Sequence, residues 1–289
     1  MKKIIFMFCL VLLSLSSASE KGESEKRKSY FGFNIDLGEN RYRDFLVNGA
    51  WGINSIWQTG VAGSTSDDQD SNRYQMGSIF ISGRWNDYFD NKVTLFRSKE
   101  QPEELTGSGA ELKTTAKYPV FKEGFYTTLA LTLGNTRYQQ ETYQSRVLGA
   151  TTVIKDFVQR YVVFELSQDV LEWLLVGLEM TKYSYEDASE ASFTGNKRKF
   201  SISTSVDGSS DYPDKKTKLY LSALYQRFLF DVALAKTFSK LQNNDSVNRS
   251  LDISYELSNQ FYPSLGISSI KYDDHSTNET LSLGLDLVF

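Results

Sequence analysis

The sequence predicts an all-β chain: an antiparallel up-and-down β-barrel that spans a membrane with about 12 strands, or 14 on a second count. Three observations lead there. The chain opens with an export-type leader. It closes with a strand of alternating leucines that ends on an aromatic. Between them, hairpin-sized segments are joined by connections that alternate short and long.

The leader comes first. Lys2 and Lys3 form a positive start, Ile4 to Leu13 is almost wholly apolar, and Ser14 to Ser19 is small and polar before Glu20 opens a charged stretch. This order is that of a secretory signal peptide, here residues 1–19. The apolar run is half the roughly 20 residues that a helical span requires. Cys9, the only cysteine, lies inside it, so the mature chain carries no disulfide and no thiolate chemistry. No cofactor and no metal site is expected.

At the other end, Leu281, Leu283, Leu285, Leu287 and Phe289 fall on one face of an extended chain, and Ser282, Gly284, Asp286 and Val288 on the other. A helix would scatter these leucines around its axis, so the period of two specifies a strand. A final strand that ends on Phe resembles the C-terminal signature of Gram-negative outer-membrane β-barrel proteins of the porin-like kind. The resemblance covers this strand. It implies a barrel inserted by the barrel-assembly machinery, which reads Leu281, Leu283, Leu285, Leu287 and Phe289 as its signal. Location in the cell outer membrane follows from it, with outer-membrane lipid and lipopolysaccharide as surroundings. Residues 20–29, rich in Lys, Glu and Ser, then read as a flexible periplasmic leader, and 30–289 as a single barrel domain. Removing Lys2 and Lys3 takes the formal charge from −4 to −6, which argues against a nucleic-acid partner.

Twelve segments carry the strand pattern: 46–58, 73–85, 92–99, 110–118, 124–138, 158–167, 173–185, 217–226, 228–238, 248–258, 264–272 and 279–289. Within 124–138, for example, Phe125, Thr127, Leu129, Leu131 and Leu133 share a face, opposite Tyr126, Thr128, Ala130, Thr132 and Gly134. Two further alternating stretches, 30–37 and 200–206, would raise the count to 14. The reading with 12 places 197–206 in an external loop and leaves 30–37 as an irregular first strand or a segment in the lumen.

Short connections near 86–91, 119–124, 168–172, 226–228 and 259–263 alternate with long polar ones near 59–72, 99–109, 139–157, 186–216, 239–247 and 273–279. Short periplasmic turns and long external loops are the barrel arrangement. Trp85, Tyr88, Phe89, Tyr118, Trp173, Phe228, Phe261 and Phe289 cluster at the short turns, as an aromatic girdle at headgroup depth would. Trp57, Tyr74, Tyr138, Tyr183, Tyr185 and Tyr272 suggest a second belt at the other rim.

Catalytic constellations are thin. His275 is the only histidine, and its neighbour Ser276 would point to the opposite face of a strand. Asp68, Asp70 and Asn72 begin like a calcium loop. Arg73 and Ile79 then stand where glycine and glutamate belong.

Function therefore rests on the lumen. Strand projection puts Asn48, Asn54, Arg84, Lys113, Lys117, Glu165, Glu179, Asp231, Asp252, Glu256 and Asp286 inside. Acids outnumber bases, which points to a passive channel for small solutes or ions with a mild cation preference. Two alternatives stay open: a non-conducting barrel whose loops bind a surface partner, and a lipid-modifying enzyme centred on His275.

Overall fold

A computed structural model describes residues 27–39, 42–67, 73–101, 105–120, 125–146, 149–186, 213–239, 245–273 and 275–289. The stretch read as a signal peptide, residues 68–72 and the 197–206 segment lie outside the described residues.

Fourteen strands follow one another in the chain. The first seven are β1 (Tyr30–Gly38), β2 (Arg43–Gly52), β3 (Trp57–Asp67), β4 (Arg73–Asn86), β5 (Phe89–Gln101), β6 (Leu105–Pro119) and β7 (Tyr126–Arg146). The second seven are β8 (Gly149–Leu171), β9 (Leu174–Glu186), β10 (Pro213–Tyr225), β11 (Phe228–Ser239), β12 (Ser246–Tyr255), β13 (Phe261–Tyr272) and β14 (Thr277–Val288). Each pairs antiparallel with its neighbours, and β1 closes on β14 from Tyr30 opposite Val288 to Gly38 opposite Thr280. Closure leaves no unpaired edge, and the even count brings both chain ends to the same rim.

The count is 14, the second of the two expected counts, for two physical reasons. The 30–37 stretch pairs on both sides and completes the wall. The stretch read as one strand, 46–58, is two: Asn54 accepts from the backbone N–H groups of Ile56 and Trp57 at 2.9 and 2.7 Å, which turns the chain between β2 and β3. Residues 59–67, expected in a loop, belong with Trp57 and Gln58 to β3. Residues 139–146 and 149–157, also expected in a loop, continue the β7–β8 hairpin. The ladder runs to Arg146 opposite Gly149.

The two faces of the wall follow from the register. Outward positions are apolar and exposed at mid-height: Val61, Ile79, Leu95, Leu129, Leu131, Leu133, Val162, Phe164, Val232, Ile267, Leu281 and Leu283. Exposed Trp51, Tyr88, Phe89, Tyr118, Trp173, Tyr225, Phe228, Phe261 and Phe289 ring the short-turn end. Such a band with an aromatic rim suits a hydrocarbon layer. At the loop end the outward positions turn ionic. Arg137 pairs with Asp156, Arg160 with Glu186 at 2.5 Å and Lys182 with Asp214 at 2.7 Å.

The second belt is corrected. Tyr74, Tyr183 and Tyr272 are buried, and with Tyr138 and Tyr185 they occupy inward register positions. Alternation gives the spacing of a face but not its sign, and closure supplies the sign.

One close approach holds this interior. The Tyr161 ring lies over Gly134 of the adjacent strand, and a Cβ there would sit 1.9 Å from its Cζ. Gly134→Val displaces the ring and breaks the bond from the Tyr161 hydroxyl to Glu111 Oε2 at 2.9 Å. Overpacking of this kind costs about 1–3 kcal/mol. The temperature at which the folded band converts on a heat-modifiability gel falls, and an unchanged temperature would refute the packing role.

Candidate functional site in the barrel interior

The inner wall divides into two arcs. On β4 to β9, near the loop end, Tyr74, Met76, Phe96, Tyr161, Val163 and Tyr183 form a buried cluster with Tyr185 packed against it. Tyr138 stacks on Phe157 at 4.8 Å. These rings fill one side of the barrel, as inward side chains fill the core of a narrow barrel.

Below them lies a polar network. Lys113 donates to Glu165 Oε2 at 2.9 Å, and the Tyr220 hydroxyl donates to Glu165 Oε1 at 2.8 Å. The ion pair reaches across β7, where Lys113 is opposite Thr132 and Glu165 opposite the small Ala130. Lys92 stands 4.2 Å from the Phe80 ring. Charges on this arc are therefore of both signs, with Lys113 and Glu165 paired.

The other arc, β11 to β14 and β1 to β3, differs. Its inward positions are mainly Gly, Ala, Ser, Thr and Asn, with five aspartates and, among the described residues, no lysine or arginine. Four of the aspartates share one hydrogen-bonded row. Asp231 is opposite Asp252, Asp252 opposite Gly266, Gly266 opposite Ser282, Ser282 opposite Asp36, and Asp36 opposite Asp44. Because strands tilt in a barrel, this row winds obliquely along the axis rather than lying as a flat ring. Gly266 gives Asp252 its room, since a Cβ there would lie 2.0 Å from the carboxylate. Ser222 donates to Asp231, and Asn34 to Asp36 at 2.7 Å.

The segment preceding β1 lines one side of the mouth at the turn end, against β14 and β2 to β5. The Arg27 carbonyl lies on the inner side of Gly52, where a Cβ would meet it at 1.8 Å. The Arg27 guanidinium donates to the Ile56 carbonyl at 3.4 Å, Ser82 at 3.1 Å and Asp90 at 3.2 Å, the last two on inward positions of β4 and β5. Ser29 exchanges two backbone bonds with Phe289, at 2.8 and 2.9 Å, and Gln58 donates to the Lys28 carbonyl at 3.0 Å. Burial lowers the Arg27 pKa, the Asp90 charge opposes this, and Arg84 adds to the lowering. A guanidinium stays charged regardless, so a fixed cation sits at the mouth. These three residues fall within the stretch expected as a flexible leader, and they are bonded to the wall.

Of the residues singled out in the sequence, Lys113 and Glu165 meet. Glu165 is opposite Glu179, and Glu179 opposite Lys218. Asp231 and Asp252 belong to the acidic row. Asp286 leans over Gly32, and Asn48 is opposite Gly32 on its other side. Arg84 lies near Arg27, and Lys117 is exposed at the turn end. Two residues do not lie on a strand. Asn54 caps the β2–β3 turn, because its side chain accepts from the backbone N–H groups of Ile56 and Trp57. Glu256 follows the last residue of β12, where its N–H donates to the Arg227 carbonyl at 2.8 Å. Asp36 and Asp44 were missed because β1 and the start of β2 were not counted as wall. Their signal was the alternation of 30–37. His275 is exposed in the β13–β14 turn with φ 69, and its N–H donates to the Tyr272 carbonyl at 3.0 Å.

No protein-family model matches the sequence, and no curated protein matches it. Solved structures do match the fold. The CymD monoaromatic hydrocarbon channel aligns with a TM-score of 0.57 at 12% identity, over 92% of this chain and 89% of its own. The shared feature is the fold, a closed antiparallel β-barrel. Lower similarities reach the Pseudomonas putida OprB structure, with TM-score 0.47, 8% identity and 91% and 93% of the two chains covered. They also reach the KdgM porin in complex with disordered oligogalacturonate, at 0.46, 7%, 90% and 99%.

Proposed function

We propose that this barrel is a passive outer-membrane channel that favours cations, with the turn end facing the periplasm. The observation that carries the reading is the oblique row of Asp231, Asp252, Asp36 and Asp44 on an arc of small residues without an inward base. A wall of small polar side chains leaves room for water beside the aromatic arc. Carboxylates along that wall then lower the barrier for a hydrated cation at successive points of its path. Diffusion is the mechanism, so no group needs to titrate or react, and His275 has no part in it. Leu281, Leu283, Leu285, Leu287 and Phe289 serve as the insertion signal, with lipid and lipopolysaccharide outside.

The alternative, a closed barrel that acts through its loops, draws support from Arg27 and the aromatic cluster, which both narrow the passage. A planar bilayer separates the two readings. Purified protein is expected to give stepwise ohmic current, and a salt gradient a zero-current potential of the sign set by cation flow. Insertion without current would end the channel reading.

A further inference from the structure

On the outer wall, β2 to β5 enclose a groove of about 650 Å³ at the loop-end boundary of the apolar band. Two adjacent outward rows build it. The upper runs Phe45, Thr65, Gln75, Lys99, and the lower Val47, Gly63, Gly77, Arg97. The two glycines leave a dent: a Cβ at Gly77 would touch nothing within 4 Å, and one at Gly63 only the Met76 carbonyl at 3.7 Å. Beneath the dent the next outward row is Val61, Ile79 and Leu95, all exposed. One end of the groove is thus cationic, and its floor continues downward as bare apolar surface.

The cations distinguish this place from the rest of the rim. Arg97 lies in the same hydrogen-bonded row as Arg137 and Glu186, through Ser108 and Val158. There, and on β9 and β10, each outward cation named above has its carboxylate. Among the described residues no carboxylate lines the groove beside Arg97 and Lys99. Directly above, Arg43 and Arg73 flank the single Asp67. Two exposed cations with no carboxylate partner among the described residues, over an apolar slot, match an anionic head joined to a hydrocarbon tail, oriented with the head at the loop end.

We propose that this groove binds one phosphate-bearing lipid of the leaflet at the loop end. Arg97 and Lys99 hold its phosphate, and an acyl chain lies in the dent over Gly63 and Gly77. The proposal rests on the barrel's being embedded in a membrane but not on its conducting. The probe is lipid A added to the detergent-solubilised barrel, with retained copies counted by native mass spectrometry. Wild-type protein is expected to keep one tightly held copy. The double variant Arg97→Ser, Lys99→Ser should bind about tenfold more weakly or worse, since it loses two charge-assisted contacts. Gly77→Leu fills the dent while both charges remain, and should also release the lipid. Arg137→Ser, which removes a paired cation from the same row, should bind as wild type. Gel heat-modifiability shows that each variant is folded. Unchanged retention in the double variant or in Gly77→Leu overturns the proposal. So does equal loss in Arg137→Ser, or full displacement of the lipid by millimolar inorganic phosphate. Loss of channel current with lipid retention intact would refute the channel and leave this site standing.

Discussion

Replacing Asp36, Asp44, Asp231 and Asp252 together with asparagine is expected to remove the cation preference proposed for this barrel. A carboxylate about 5 Å from a passing monovalent cation in water contributes about 0.8 kcal/mol. At 1.4 kcal/mol per tenfold, that is about a fourfold bias for each carboxylate an ion meets. Asparagine keeps the shape and the acceptor oxygen, so the bonds from Asn34 and Ser222 have a partner in the variant and the wall is preserved. The zero-current potential in a tenfold potassium chloride gradient should collapse towards that of a neutral pore, while unit conductance changes less. The bias is electrostatic, so it should also fade in the wild type as salt rises. At about 1 M the screening length is only about 3 Å. A reversal potential that stays the same in the fourfold variant would show that the row does not set selectivity. In that case the engaged charges of the Lys113–Glu165 arc become the place to look.

Arg27→Ala loosens the segment that lines the turn-end mouth. The guanidinium holds three acceptors on the adjoining β2–β3 turn, β4 and β5, and its side chain is only 11% exposed. One hydrogen bond to a charged group is worth about 1.5–3 kcal/mol. Losing the set should therefore shift the docking of this segment by about tenfold to a hundredfold. Recordings of the variant should show a higher mean conductance with frequent transitions, where the wild type holds one steady level. Arg27→Lys should restore the steady level only in part, because an ammonium is a point donor and cannot reproduce a fork shared between Ser82 and Asp90. Asp90→Asn should resemble Arg27→Ala in kind and be milder, since the other two acceptors remain. A trace for Arg27→Ala identical to wild type would mean that the segment lies beside the conducting path.

The strand content, the antiparallel hairpin order, the membrane-facing residues and the final strand were legible in the chain itself. Period-two alternation is a local property, and each of Leu129, Leu131 and Leu133 or Leu281 and Leu283 carries it without help from elsewhere. The number of strands was harder. It depended on whether Asn54 turns the chain and whether 30–37 finds partners on both sides, one of which, β14, lies about 250 residues away along the sequence. The polar hairpin beyond Gln139 was read as loop because polarity resembles irregularity when the partner strand is unknown.

The site divides in the same way. Parity within a strand, such as Asp231 with Ala233 or Asp252 with Ser250, comes from the sequence. Which tyrosines point inward, how Lys113 finds Glu165 across β7, and how four aspartates from β11, β12, β1 and β2 join one row all require inter-strand register. Register is chosen by closure of the whole barrel, where a shift of one residue would turn every apolar face inward at once. The sequence by itself therefore determined a strand-built wall with an apolar outside. Only the tertiary structure decided what that wall encloses, because the interior of a barrel is shared among strands that local pattern cannot relate.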